Sequence, residues 1–203
     1  MAKSLIGENI FLADYTSLKK DFTNIHQIKD FGIWRKLPST LVVKIVEREP
    51  FAVAIISGSS IVIDEDGFFL KGEGKRFIKE DYSFVNIKDI SDLPVVKGID
   101  TSKTSQNRLN QDVAQAIKIA IGELSRFLSS SKLQLEMRGE GDFNLLVEDV
   151  LKVRFGSTDD MEKKISVLEA ILPEVEGRWS GVSYIDIRIA SNPVVKYKKR
   201  KNT

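Results

Sequence analysis

The 203-residue chain has no cysteine, one histidine, five prolines and no run of about 18 uncharged apolar residues. Each shortage removes a class of function. Without cysteine there is no disulfide framework, no thiolate metal site and no thiol nucleophile. With His26 as the sole histidine, a nucleophile-and-base pair or a His-rich metal site has little to draw on, and no Gly-x-Ser-x-Gly pattern accompanies any serine. The most apolar stretch, residues 51–63, is interrupted at 57–60, and the first eight residues do not look like a signal peptide. Charge of one sign is also missing, since 31 Lys and Arg against 29 Asp and Glu leave +2. That near-balance hides an asymmetry. Residues 196–203 carry five cations and no acid, so the other 195 residues stand at +2 − 5 = −3.

What is present is an ordinary folding composition, 42% apolar and 30% charged, long enough for one or two domains. Leu18 and Phe22 suit a short helix capped by Asp14 or Thr16. Residues 28–35 and 40–48 read as strands around a Pro38-Ser39 turn, the second a run of alternating β-branched residues stopped by Pro50. Strands at 51–56 and 60–63 lead to Asp64-Glu65-Asp66-Gly67, a hairpin signal, with Phe68-Phe69-Leu70 returning. Residues 81–104 look irregular. Leu109, Val113, Ile117, Ala120, Leu124 and Leu128 then recur at helical spacing, predicting a helix over 107–128. Alternation at Leu133, Leu135 and Met137, at Phe143 and Leu145, and less regularly at Val150, Val153 and Phe155 predicts a three-stranded meander. A second helix opens near Ser157, carries Met161, Ile165, Leu168 and Leu172 on one face, and is expected to stop at Pro173. Residues 184–189 alternate as a last strand, with Ile185, Ile187 and Ile189 on one face. The order is that of an α+β chain, a small first unit followed by a larger, mostly antiparallel one.

Chemistry is sparse. Glu47, Glu49, Glu136 and Glu140 are available as carboxylate pairs for glycoside hydrolysis, but among 29 acids such pairs carry no specificity. Asp64-Glu65-Asp66-Gly67 matches no calcium loop, and Gly72-Glu73-Gly74-Lys75 is too short for a phosphate loop. No cofactor is expected. Lys196-Tyr197-Lys198-Lys199-Arg200-Lys201 is a basic run that can meet nucleic acid or an anionic lipid surface, but beside an acidic body it reads first as a solvated tail.

Several ordered segments point to a family. Pro38-Ser39-Thr40-Leu41-Val42-Val43-Lys44-Ile45-Val46-Glu47-Arg48-Glu49-Pro50-Phe51-Ala52 resembles the hinge between the POTRA and β domains of the bacterial cell-division protein FtsQ, called DivIB in Gram-positive species. Gly7-Glu8-Asn9-Ile10-Phe11 is similar to that family's step before the second POTRA helix, and Ile61-Val62-Ile63-Asp64-Glu65-Asp66-Gly67-Phe68-Phe69 to its strand, turn and returning strand. Leu93-Pro94-Val95-Val96-Lys97-Gly98, Val153-Arg154-Phe155-Gly156 and Tyr184-Ile185-Asp186-Ile187-Arg188 resemble further family elements in the same order.

The resemblance implies an α+β fold in which a partial POTRA domain at 1–47 precedes a β domain at 48–192 with two helices on its sheet, and a basic tail at 193–203. It implies a non-enzymatic scaffold on the outer side of the cytoplasmic membrane at the septum, helping to recruit and regulate septal peptidoglycan synthesis. The family's membrane anchor and first POTRA elements would stand before Gly7, so truncation is expected. FtsB and FtsL are the implied partners, bound by strand addition to the terminal edge, with the POTRA unit serving other divisome proteins and no nucleic acid involved. The implied contact residues are Arg188, Ile189, Ser191, Lys196 and Tyr197, with Pro193 an interruption because it has no N–H to donate. Two other readings remain at this point, a POTRA-bearing envelope assembly factor and a carboxylate-based cell-wall hydrolase.

Overall fold

The computed structural model describes residue 7 and residues 9–11, 15–25, 27–70, 92–100, 102, 104–105, 107–129, 133–139, 141–175 and 177–198. His26, the 72–75 loop, Glu140, the Asp14 cap and residues 199–203 lie outside them, as does most of the stretch expected to be irregular. The chain divides into two compact units, Met1–Glu49 and Pro50–Thr203.

The first unit holds α1 (Thr16–Thr23) and an antiparallel hairpin of β1 (Ile28–Lys36) and β2 (Thr40–Glu47). Register places Phe31, Ile33, Val43 and Ile45 on one face of this hairpin. Helix α1 packs there through buried Leu18 and through Phe22, whose ring lies 5.3 Å from that of Phe31. Arg35 stands over the Tyr15 ring at 4.8 Å and donates to the Ile10 carbonyl at 2.6 Å.

The second unit is built on an eight-stranded sheet. Its strands are β3 (Ala52–Ile56), β4 (Ser59–Ile63), β5 (Val95–Lys97), β8 (Leu133–Arg138), β9 (Asp142–Val147), β10 (Leu151–Gly156), β11 (Val182–Asp186) and β12 (Val194–Tyr197). Between β5 and β8 come a minimal hairpin of β6 (Thr104–Ser105) and β7 (Arg108–Leu109) and the helix α2 (Gln111–Leu124). Helix α3 (Met161–Val175) joins β10 to β11. The sheet order is β12-β11-β10-β9-β8-β5-β3-β4. Four of the seven neighbouring pairs are antiparallel, and the pairs β3–β5, β5–β8 and β10–β11 are parallel.

Alternate strand residues and the apolar stripes of α2 and α3 share one core, so both helices cover the same face of the sheet. Phe143 and Phe155 stack in it at 4.9 Å. Lys164 is the charged residue of that packing. Its buried ammonium donates to the Ser157 carbonyl at 2.8 Å and holds the turn into α3, and burial pushes its pKa down. On the opposite face a small second cluster, Val53, Val62 and Leu70 with Leu93 against it, occupies the β3–β4 end.

The mixed α+β class and the meander β8–β9–β10 are as expected, and several boundaries differ, among them the end of the first long helix, at Leu124 rather than 128. The first long helix begins at Gln111 because Arg108 and Leu109 pair with Thr104 and Ser105, and Asn110, at φ −56° and ψ 143°, is extended. Pro173 sits inside the last turn of α3 rather than ending it. There the ring removes one donor, and the helix runs only two residues further. The strand expected over 184–189 runs over Val182–Asp186, and residues expected in a tail form β12.

Candidate functional site

The two edges of the eight-stranded sheet are unequal. Outside β4 the chain folds back: Asp64 accepts the N–H groups of Asp66 and Phe68, the Leu70 N–H donates to Val62, and Ile63 bridges Phe69. Outside β12 no strand pairs among the described residues. The N–H and C=O groups on that side are a template for another strand.

The structure separates the expected contact residues into two groups at this open edge. Arg188, Ile189 and Ser191 lie in the connection between β11 and β12, whereas Lys196 and Tyr197 lie on β12 itself. Ile189 does not continue the inward row of Ile185 and Ile187. Those two are fully buried and Ile189 is 66% exposed, because after Ile187 donates to the Arg154 carbonyl the chain turns, with the Asn192 N–H on the Ile189 carbonyl at 3.0 Å. Val194 and Tyr197 are also exposed. Pro193 precedes the first residue of β12, so its missing donor falls outside the strand rather than within it.

A charged network stands beside this edge. Arg188 grips Asp186 with two nitrogens, Nε on Oδ1 at 2.9 Å and Nη2 on Oδ2 at 2.8 Å. Its stem lies against Gly156, where an added Cβ would meet Arg188 Cγ at 3.1 Å. Arg154 approaches the same carboxylate at 3.8 Å and stacks over the Tyr184 ring at 3.9 Å, and Lys196, directly across the ladder from Tyr184, stands 5.6 Å from the ring centroid. The hydrogen bonds from Arg188 hold the Asp186 carboxyl below its ordinary pKa. Arg154, Tyr184 and Asp186 fall within the ordered segments of the sequence but not among the expected contact residues. The polar half of the 184–188 alternation, Tyr184, Asp186 and Arg188, marks one side of the network, and strand register adds Arg154 and Lys196.

For catalysis the described residues offer little. Glu136 accepts from Asn144 at 2.9 Å with Arg138 and Lys152 nearby, and these partners, the Asn144 hydrogen bond foremost, keep its pKa low, the wrong direction for a general acid at neutral pH. No group of three or more His, Asp or Glu residues suited to a metal occurs among the described residues. No helix among them is long and apolar enough to cross a membrane.

Comparison with known proteins bears on this architecture. Residues 53–188, more than half of the chain, match the family "Cell division protein FtsQ/DivIB, C-terminal". The chain is 27% identical over 196 residues to a cell division protein DivIB of Clostridium botulinum, a match covering 93% of this chain and 70% of that one. It is 36% identical over 62 residues to a cell division protein FtsQ of Rickettsia bellii, covering 30% of this chain and 23% of that one. The solved extracytoplasmic domain of DivIB from Geobacillus stearothermophilus is aligned over 66% of this chain and 98% of that one, at 16% identity and a TM-score of 0.34. With most of the sheet and both of its helices inside the matched span, the chain belongs to the FtsQ/DivIB family of cell division proteins.

Proposed function

We propose that this chain is a non-enzymatic scaffold of the divisome, acting on the extracytoplasmic side of the cytoplasmic membrane at the septum. In this reading the second unit binds FtsB and FtsL, the partner adding a strand to β12. The first unit acts as the POTRA portion that meets other divisome proteins, and the assembly helps recruit and regulate septal peptidoglycan synthesis. The observation that carries the reading is the outer side of β12, unpaired among the described residues, in a sheet whose other edge is covered. Strand addition draws its affinity from main-chain hydrogen bonds and its specificity from alternate side chains.

Exposed apolar groups at Ile189, Val194 and Tyr197 supply the contact area, and Arg188 and Lys196 the charge for acidic partner residues. The test is binding of a soluble FtsB–FtsL segment to wild type, Tyr197→Ala and Ile189→Glu, followed by calorimetry. Each substitution is expected to weaken binding by about tenfold or more, the scale of a central interface contact. Unchanged affinity in both variants removes the site.

A further inference from the structure

The turn end of the β1–β2 hairpin gathers features that the strand-addition reading does not use. Three large apolar side chains stand exposed around it, Leu37 in the turn at 62%, Trp34 at 47% and Phe11 at 65%. Phe11 is brought there through its neighbour, for the Ile10 carbonyl accepts from Arg35 Nε at 2.6 Å and from the Tyr15 hydroxyl at 3.3 Å. Successive strand residues face opposite ways, so Phe11 lies beside the Arg35 face and Trp34 belongs to the other. On that other face the indole is seated on Gly32, where an added Cβ would meet its ring at 3.2 Å. Lys36 on β1 and Lys44 on β2, across the ladder from Gly32, share the face with it.

Charge along the hairpin is graded. Residues 31–46 hold Arg35, Lys36 and Lys44 and no acid, whereas Asp30, Glu47 and Glu49 stand at the end from which the chain leaves for Pro50. The eight residues of β2 put about 24 Å between the two ends. Exposed charges are largely screened beyond a Debye length of about 8 Å at physiological salt, so what approaches the turn meets the cations and not those acids. Glu8 and Asp14 lie outside the described residues.

We propose that this hairpin end docks on the surface of an anionic phospholipid bilayer. Leu37 enters the acyl boundary, Trp34 and Phe11 rest at headgroup level, and Arg35, Lys36 and Lys44 meet the lipid phosphates. Three observations select a bilayer. The exposed apolar groups surround a turn on both of its sides, so a protein partner would need a socket built around it, whereas a fluid interface closes on any shape. Tryptophan beside long-stemmed cations is the combination that holds a chain at an interface, the ring among the headgroups and the ammonium reaching back to water. The acid-free stretch is complementary to anionic headgroups, to which each nearby cation adds attraction.

The test titrates the full chain with vesicles of equimolar phosphatidylglycerol and phosphatidylcholine, and with phosphatidylcholine vesicles alone. Trp34 and Trp179 are the two tryptophans, and Trp179→Phe leaves Trp34 as the only reporter at no cost in hydrogen bonds, since Trp179 Nε1 has no partner. On the mixed vesicles Trp34 emission is expected to shift to the blue and to be quenched by brominated acyl chains. Phosphatidylcholine alone is expected to bind about tenfold more weakly or less, because the three cations lose their counterpart. Leu37→Glu is expected to weaken binding to the mixed vesicles about tenfold, and Leu37→Phe to retain it. Independently, Lys36→Gln with Lys44→Gln is expected to cost about tenfold on the mixed vesicles and nothing on phosphatidylcholine. Lys199→Gln, Arg200→Gln and Lys201→Gln together are expected to leave the quenching of Trp34 at saturation in place, which separates the hairpin from the basic tail. Absence of vesicle binding overturns the proposal and leaves the hairpin end to a protein. It is equally overturned by binding with unchanged Trp34 emission, by equal affinity for the two vesicles, or by wild-type binding in both Leu37→Glu and the lysine pair. The inference goes beyond the scaffold reading, and with no partner chain in any arm its failure leaves strand addition at β12 untouched.

Discussion

The two margins of the second unit's sheet solve the same problem in opposite ways. At β4 the next residues return and take up main-chain groups through the Asp64–Gly67 turn, and that return is itself tied down by the Phe69 N–H on Asn107 and the Leu109 N–H on Gly67. At β12 the strand is short, bears Lys196 and Lys198 at or beside it, and has no outer neighbour among the described residues. Lysines and short length are the ordinary means by which proteins keep an open edge from pairing indiscriminately. The contrast teaches that β12 is guarded rather than closed, so a partner that supplies acids can reach what a neutral strand cannot.

The largest effect is expected from breaking the closed margin. Gly67 has φ +80°, and a Cβ there would lie 2.6 Å from the Ala114 Cβ and 3.2 Å from the Leu109 Cβ. Gly67→Ala therefore combines left-handed strain with a clash against the start of α2, and should cost about 2–4 kcal/mol in urea denaturation. An unchanged midpoint would show that the turn is not tied to α2. Next comes Asp64→Ala, which leaves the Asp66 and Phe68 N–H groups without their acceptor at a residue that is only 2% exposed. The expected loss is about 1–3 kcal/mol, with faster amide exchange at Phe68 as its local signature.

At the open margin the effects on stability are smaller. Because Arg188 holds the Asp186 carboxyl below its ordinary value, folding favours the ionised form. That contribution is complete above the unfolded pKa of about 4 and is lost as pH falls through the lower folded value. Asp186→Asn should flatten the acid side of the melting-temperature profile, by the equivalent of about 1 kcal/mol or less given the exposed Arg188 partner. A profile superimposable on wild type would remove this ion pair from the account. Tyr197→Ala, at an exposed strand position, should change stability by less than about 0.5 kcal/mol, so that any loss of partner binding in that variant is read as contact and not as unfolding.

These differences also explain what could be read in advance. The periodicity of α2 and α3 and the alternation of β8, β9 and β10 were legible because their apolar residues fill one shared core. The Asp64–Gly67 turn was legible from its residue types alone. Strand β12 was not, because Val194-Val195-Lys196-Tyr197 follows a proline, is four residues long and packs only Val195 inward, which leaves almost no apolar pattern. Ile189 was misleading for the reverse reason. Its alternation with Ile185 and Ile187 is intact in sequence, and the turn that takes it out of the row is fixed by main-chain bonds from Ile187 and Asn192. The network around Tyr184 needed register, since Arg154, Tyr184 and Lys196 come from three different strands.

The bare Cα of Gly156 has one more result. Because the Arg188 stem rests against that position and its guanidinium is held by Asp186, the long side chain is ordered before anything docks. Freezing an arginine costs rotamer entropy, and here that loss falls in folding instead of in association. A ligand arriving at this corner meets a charge already at rest, and a side chain grown at Gly156 would set it moving again.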